Sequence, residues 1–285
     1  MSAGVVFRQR FPGTARSLSR WRAKWRDLGD QAHFYGQSVA SIVQAVGIYR
    51  AELLRQIAAI GLGAGSLAVV GGTVAVVAFL NISTSGALAS QAYNQMSQVG
   101  VEALAGFTSA FVNVRLVTPA SSAFAFAATI GAGTTAQLGA MKINEEVDAL
   151  AVMGIRPIAY LASTRLLAGM IVVIPLYCVA LLMSFFSVRV ITTAFYGQGP
   201  GVFDHYFDTF LSPQAVFFSF AVTVAEVLVI MLIHTYYGLN ATGGPAGVGE
   251  AVGRATRTSL IASQMVILLV TLALYGQTGN FNYAG

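Results

Sequence analysis

The sequence predicts an all-α membrane protein: an N-terminal interfacial amphipathic helix, five transmembrane helices and a short cytoplasmic helix in a loop. Three observations carry this reading. Of 285 residues, 56% are hydrophobic and only 9% charged, against about 25% charged in a soluble domain, so a water-facing surface of ordinary polarity cannot be built. Apolar runs of about 20 residues, long enough to cross a bilayer, recur five times along the chain. The 16 Lys and Arg residues are unevenly placed, nine of them within residues 1–56. The same composition excludes disorder, and the single Cys178 excludes a disulfide framework or a thiolate metal cluster.

Residues 1–56 form the first region. Arg8, Arg10, Arg16, Arg20, Arg22, Lys24, Arg26, Arg50 and Arg55 are opposed there only by Asp27, Asp30 and Glu52. Because a membrane protein follows, this arm is expected to face anionic lipid, not nucleic acid. The first long apolar run begins near Ile57, too late for a signal peptide, so the N-terminus is expected to be retained. Val39, Ile42, Val43, Val46, Tyr49, Leu53 and Leu54 recur at spacings of three and four, with Ser38, Ser41, Gln44 and Arg50 largely off that stripe. Such a helix lies in the headgroup region or packs at the inner mouth of the bundle.

Residues 57–276 form the membrane region. The spans are expected at Ile57–Leu80, turning polar from Asn81 to Gln98; at Ala103–Met141, broken by Arg115 and bent or weakened at Pro119; at Pro157–Val188; at Pro213–Tyr237; and at Ser259–Tyr275. Residues 277–285 make a short polar tail. With the N-terminus inside, the cytoplasmic segments hold 14 of the 16 basic residues, and the outer loops at 81–100 and 192–212 hold none. Positive charge stays on the cytoplasmic side, so the expectation is N-terminus in, C-terminus out. Glycines 61, 63, 65, 71 and 72 suit close helix packing, within the chain or across a dimer.

No phosphate loop of the G-x-x-x-x-G-K-[ST] type occurs, so any ATP is handled elsewhere. His33, His205 and His234 lack ligand spacing for a metal, no nucleophile elbow appears, and no enzyme or directly bound cofactor is expected.

The most informative stretch lies in the first cytoplasmic loop. Asn144 suits an N-cap, Glu145, Glu146 and Asp148 place negative charge in the first turn, and Gly154 and Pro157 end the helix. Ile143, Val147, Leu150 and Ala151 share its apolar stripe. A helix of about ten residues is too short to stand alone. Its acidic face argues against resting on anionic lipid and for a protein groove lined with basic residues.

The run Thr135-Ala-Gln-Leu-Gly-Ala-Met-Lys-Ile-Asn-Glu-Glu-Val-Asp-Ala-Leu-Ala-Val-Met-Gly-Ile-Arg-Pro157, followed by Tyr160-Leu161 and Arg165, resembles the signature of the MlaE/YrbE permeases of ABC-type lipid transporters. Tyr237-Gly238, Gly243-Gly244-Pro-Ala-Gly-Val-Gly249 and Arg254-Ala-Thr256 are similar to that family's last cytoplasmic loop. The resemblance covers roughly residues 50–276. It implies a permease dimer in a bacterial inner membrane, each copy docking a coupling helix at 144–153 into a separate ATPase that holds ATP and Mg. It further implies phospholipid, sterol or fatty-acid cargo and MCE-domain partners. The coupling role would fall on Glu145, Glu146, Asp148, Leu150 and Met153. Gln137, Ser163-Thr164-Arg165 and Arg115-Leu-Val-Thr-Pro119 depart from the family pattern. Those departures suggest a diverged member such as one half of a heterodimeric actinobacterial Mce-system YrbE pair.

Within the bilayer, Glu226 in the fourth span requires a cavity or partner, and Arg115 is the candidate. An ion pair or a protonated, hydrogen-bonded acid is expected there in preference to a substrate site. Two other functions fit the composition. One is an ATP-independent channel or ion-coupled carrier relaying protons through Glu226 and His234, although no repeat of two halves is visible. The other is a non-transporting anchor for a lipid-transfer assembly.

Overall fold

A computed structural model describes the backbone of residues 12–61 and 67–275, and within it the side chains of residues 25, 26, 28–61 and 72–273. Arg8 and Arg10, Gly63 and Gly65, the tail at 277–285, and the side chains of Arg16, Arg20, Arg22 and Lys24 lie outside the described residues.

The regular elements among the described residues are all helical. They are α1 (Pro12–Ala40), α2 (Ile42–Gly47), α3 (Arg50–Gly61), α4 (Leu67–Ser97), α5 (Glu102–Ile143), α6 (Glu146–Val152), α7 (Ile158–Phe195), α8 (Pro200–Phe210), α9 (Pro213–Leu239) and α10 (Gly244–Tyr275). Five of them, α4, α5, α7, α9 and α10, are long and apolar enough to cross a membrane. They alternate in direction, so α6 and the α9–α10 turn share one end of the bundle with α1–α3, while α8 sits at the other.

The main apolar core joins α4, α5, α7 and α9 through Val77, Phe126, Ile130, Leu166, Val173, Ile230 and Met231. Two spans carry wide π turns, at Ser109–Val117 and Ala127–Gly131 in α5 and at Ile158–Ser163 and Ile191–Phe195 in α7. Each wide turn inserts a residue and rotates the face that follows. α5 runs on through both Arg115, the expected interruption, and Pro119, the expected bend or weak point; Arg115 lies within the first π segment, which ends two residues before the proline.

The first span is displaced from its expected place. Ile57–Gly61 belong to α3, where Gly61 lies against Val172 of α7, and α4 continues to Ser97 through the residues expected to form an outer loop. The reason is that their polar groups are satisfied inside the bundle. Ser85 Oγ donates to Asn113 Oδ1 at 2.9 Å and lies 2.7 Å from Ser184 Oγ, and Ser121 Oγ donates to Asn81 Oδ1 at 2.8 Å. A buried polar group with such partners no longer opposes a helix at membrane depth. The second expected outer loop is likewise structured: α8 tucks Phe203 against Ala89 and Val188, and Arg189 pairs with Asp204 at 2.8 Å.

The N-terminal amphipathic stretch is three helices, not one, and its apolar stripe is split: Leu53 is buried and Ile42 packs on the main core, while other stripe residues stay exposed. Ser38 and Ala45 are buried, whereas Val43 and Ile48 are 80% and 73% exposed. The Ser163 hydroxyl donates to the Ser38 carbonyl at 2.7 Å, and Phe34 and Tyr35 pack on Tyr236 of α9. Burial, then the neighbouring Tyr237 and Tyr236, push the Tyr35 phenol up to about 12. On α3, Glu52 is held by Arg55 at 2.8 Å, Gln56 at 2.6 Å and the Tyr160 hydroxyl at 3.2 Å. Burial pushes that carboxyl up, but these hydrogen bonds and the Arg55 charge outweigh it and hold it below the ordinary 4.5.

Candidate functional site

The chain reverses direction between α5 and α6 in two residues. Asn144 does not cap α6; it closes α5, its amide donating to the Ala140 carbonyl at 3.0 Å. Glu145 then takes φ 62°, the one non-glycine residue with positive φ among the described residues. That conformation is strained for a side chain with a Cβ, and it persists where surrounding structure fixes it. Here it folds α6 back beneath the end of α5. At the other end Gly154, with φ 79°, donates to Ala151 at 3.0 Å while Ile155 donates to Leu150 at 3.0 Å. This double bond pattern is the left-handed glycine stop that the sequence anticipated.

One face of α6 is an anchor. Val147 is buried against Leu138 of α5 and Leu161 of α7, and Leu150 packs in the same cluster with Met141, Tyr160 and Leu239. Lys142 reinforces it, reaching both Asp148 oxygens at 2.9 and 3.0 Å. The cluster that holds α6 is thus built with side chains of α5, α7 and α9, and the end of α5 packs most extensively on it.

The other face is open. Val152 is 89% and Met153 66% exposed, beside the exposed Glu145, Glu146 and Asp148. Two large apolar side chains presented with three acids at the end of a bundle make a surface that gains by being covered. The expected set is thus divided: Glu145, Glu146, Asp148 and Met153 lie on the open side, whereas Leu150 belongs to the anchor. Val152 escaped the sequence reading because it falls off the apolar stripe, although its position beside Met153 is the signal.

The intramembrane pair expected from the sequence does not form. Glu226 is fully buried, and neither carboxylate oxygen has a hydrogen-bond partner among the described residues. Arg115 lies over the Phe111 ring, 3.7 Å from its centroid. Ser219, which donates to the carbonyl of Val114 at 2.6 Å, marks the level of Arg115 on α9; Glu226 is two turns farther on, about 10 Å along the axis. His234 is also buried, with Nδ1 2.7 Å from the Thr135 hydroxyl and Nε2 3.0 Å from that of Ser259. It stands about 12 Å from Glu226 along α9, beyond direct proton transfer. Arg165, counted from the sequence among the cytoplasmic basic residues, is instead buried inside α7 and donates to the Leu161 carbonyl at 3.2 Å.

Five long apolar helices with a short exposed helix at one end define a multi-pass membrane protein. Residues 63–273 match the profile of a family described as Permease MlaE, and the chain belongs to that family. It is 28% identical over 166 residues to a probable ABC transporter permease protein of Synechocystis, covering 58% of this chain and 63% of that one. It is 25% identical over 171 residues to the chloroplastic protein TRIGALACTOSYLDIACYLGLYCEROL 1 of Arabidopsis thaliana, covering 60% and 49%. These two matches thus span less than two thirds of each relative. A probable ABC transporter permease protein of Rickettsia felis is 24% identical over 265 residues, covering 90% and 93%.

Proposed function

We propose that the chain is the membrane subunit of an ATP-driven lipid or fatty-acid transporter in a bacterial inner membrane, with its N-terminus cytoplasmic. The observation that carries the reading is the open face of α6. Val152 and Met153 supply an apolar contact, Glu145, Glu146 and Asp148 supply charge for a basic groove, and the opposite face is packed into the chain's own bundle, chiefly on α5. The partner of this face is a separate ABC ATPase, which holds ATP and Mg; the chain itself binds no cofactor. A second permease copy or a diverged paralogue completes the membrane pore, and MCE-domain proteins take or deliver the lipid outside the cytoplasm.

A lipid cargo is supported by the scarcity of charge at membrane depth, where a polar solute would need partners. It is supported also by the plant relative, whose name is that of a glycerolipid. The test is purification in mild detergent, with retained proteins and lipids identified by mass spectrometry. Co-purifying ATPase and extractable lipid are expected. A complex without an ATPase that responds only to small polar solutes rules the proposal out.

A further inference from the structure

At the α6 end of the bundle, a cavity of about 550 Å³ opens between the α1–α2 junction and the start of α7. Its polar lining is Gln37, Ser41, Gln44 and Arg156, with Pro157 and Ile158 among its apolar walls. Among the described residues no carboxylate lines it. Arg156 is exposed and takes part in none of the ion pairs formed among the described residues. A guanidinium with amide and hydroxyl groups around it is a donor set for phosphate oxygens. The volume falls in the range of small-molecule sites, about 300–1,000 Å³, and is far larger than a lone inorganic anion needs.

The surroundings decide what carries the phosphate. Val39, Val43 and Val46, on the helices that form one wall, are exposed large apolar side chains, as is Ile48 just after α2. Val39 and Val43 flank Ser41 two residues to either side. Exposed apolar side chains beside a donor-lined cavity match the boundary between acyl chains and headgroups. Along the chain, α1 also carries Arg16, Arg20, Arg22, Lys24 and Arg26 against Asp27 and Asp30, a balance that draws anionic lipid.

We propose that this cavity holds the phosphate headgroup of an anionic phospholipid taken from the surrounding leaflet, with its acyl chains along Val39, Val43 and Val46. The bound lipid joins the N-terminal helices to the first turn of α7. The site is apart from α6, and the proposal does not rest on the transport reading.

The test uses the full chain, with whatever partners co-purify, in phosphatidylcholine nanodiscs doped with headgroup-photoreactive phosphatidylglycerol or its phosphatidylcholine counterpart. Labelled peptides are mapped by mass spectrometry. Phosphatidylglycerol is expected to label residues 37–44 and 156–159 about tenfold more than phosphatidylcholine. Arg156→Glu and Ser41→Trp are each expected to remove that preference, and Arg156→Lys to keep part of it. Inorganic phosphate is expected not to compete. Arg156→Glu decides alone if Ser41→Trp fails to fold, because Arg156 is an exposed side chain outside the core. Equal labelling by the two lipids, undiminished labelling in Arg156→Glu, or displacement by inorganic phosphate, which would make this a soluble-anion site, each overturns the proposal.

Discussion

Replacing Val152 and Met153 together by aspartate separates docking from folding more cleanly than any other change to α6. Both side chains point away from the bundle, 89% and 66% exposed, so the free chain loses almost nothing; surface substitutions of this kind stay within about 0.5 kcal/mol. At an interface the balance differs. Full burial of a Val or Met side chain contributes about 1.5–3 kcal/mol each, so the exposed fractions here amount to about 2–5 kcal/mol on docking. At about 1.4 kcal/mol per tenfold, affinity for the ATPase should fall by about thirtyfold to several thousandfold, before any penalty for burying the new carboxylates. The assay is ATPase retention on immobilised, detergent-solubilised permease, with thermal unfolding of the permease measured in parallel. Leu150→Asp is the contrasting variant: Leu150 packs on the chain's own spans, so it should loosen α6 and lower the unfolding temperature as well as retention. Undiminished ATPase binding by the Val152→Asp, Met153→Asp protein would refute the reasoning that this face is the docking surface.

Three further outcomes follow from the packing. A Cβ at Gly131 would lie 2.6 Å from the His234 ring, whereas one at Gly133 meets nothing within 4 Å; Gly131→Ala should therefore destabilise by about 1–3 kcal/mol and Gly133→Ala should not, as read by thermal unfolding. Because the folded-state value of Glu52 is depressed, its contribution is present above about pH 4.5 and is lost as pH falls through the lower folded value. The stability gap between wild type and Glu52→Gln should accordingly close on acidification, and a gap independent of pH would remove the ion-pair explanation. With Cys178 replaced, a cysteine at Ser97 should react with an impermeant thiol reagent from outside and one at Asn144 should not; the reverse pattern would invert the topology.

Much of the fold was legible because hydrophobic length is a strong signal: five apolar runs became five spans. Boundaries were less legible where polar residues are satisfied in the bundle's interior. Asn81 and Ser85 read as loop residues, yet Ser121, Asn113 and Ser184 supply their partners from distant positions in the chain. The π turns of α5 and α7 shift the helical face within a span, so no single period describes either helix. At α6 the stop at Gly154 was readable from its residue type, but the start was not. Nothing local announces that Glu145 adopts a left-handed conformation and that Asn144 closes the preceding helix. The missing Glu226–Arg115 pair has a similar origin, since two charges in neighbouring spans say nothing about their depth along each axis. Charge complementarity alone suggested the pair, and helix register separated it.

The most direct measurement is ATP-dependent movement of a fluorescent phospholipid by the reconstituted complex of this permease with its co-purifying ATPase in liposomes. The account predicts lipid movement that requires ATP hydrolysis and is abolished when Val152 and Met153 are aspartate, with the permease itself still folded and inserted. Lipid movement at the same rate without ATP, or ATP-driven movement unaffected by those two substitutions, would contradict it.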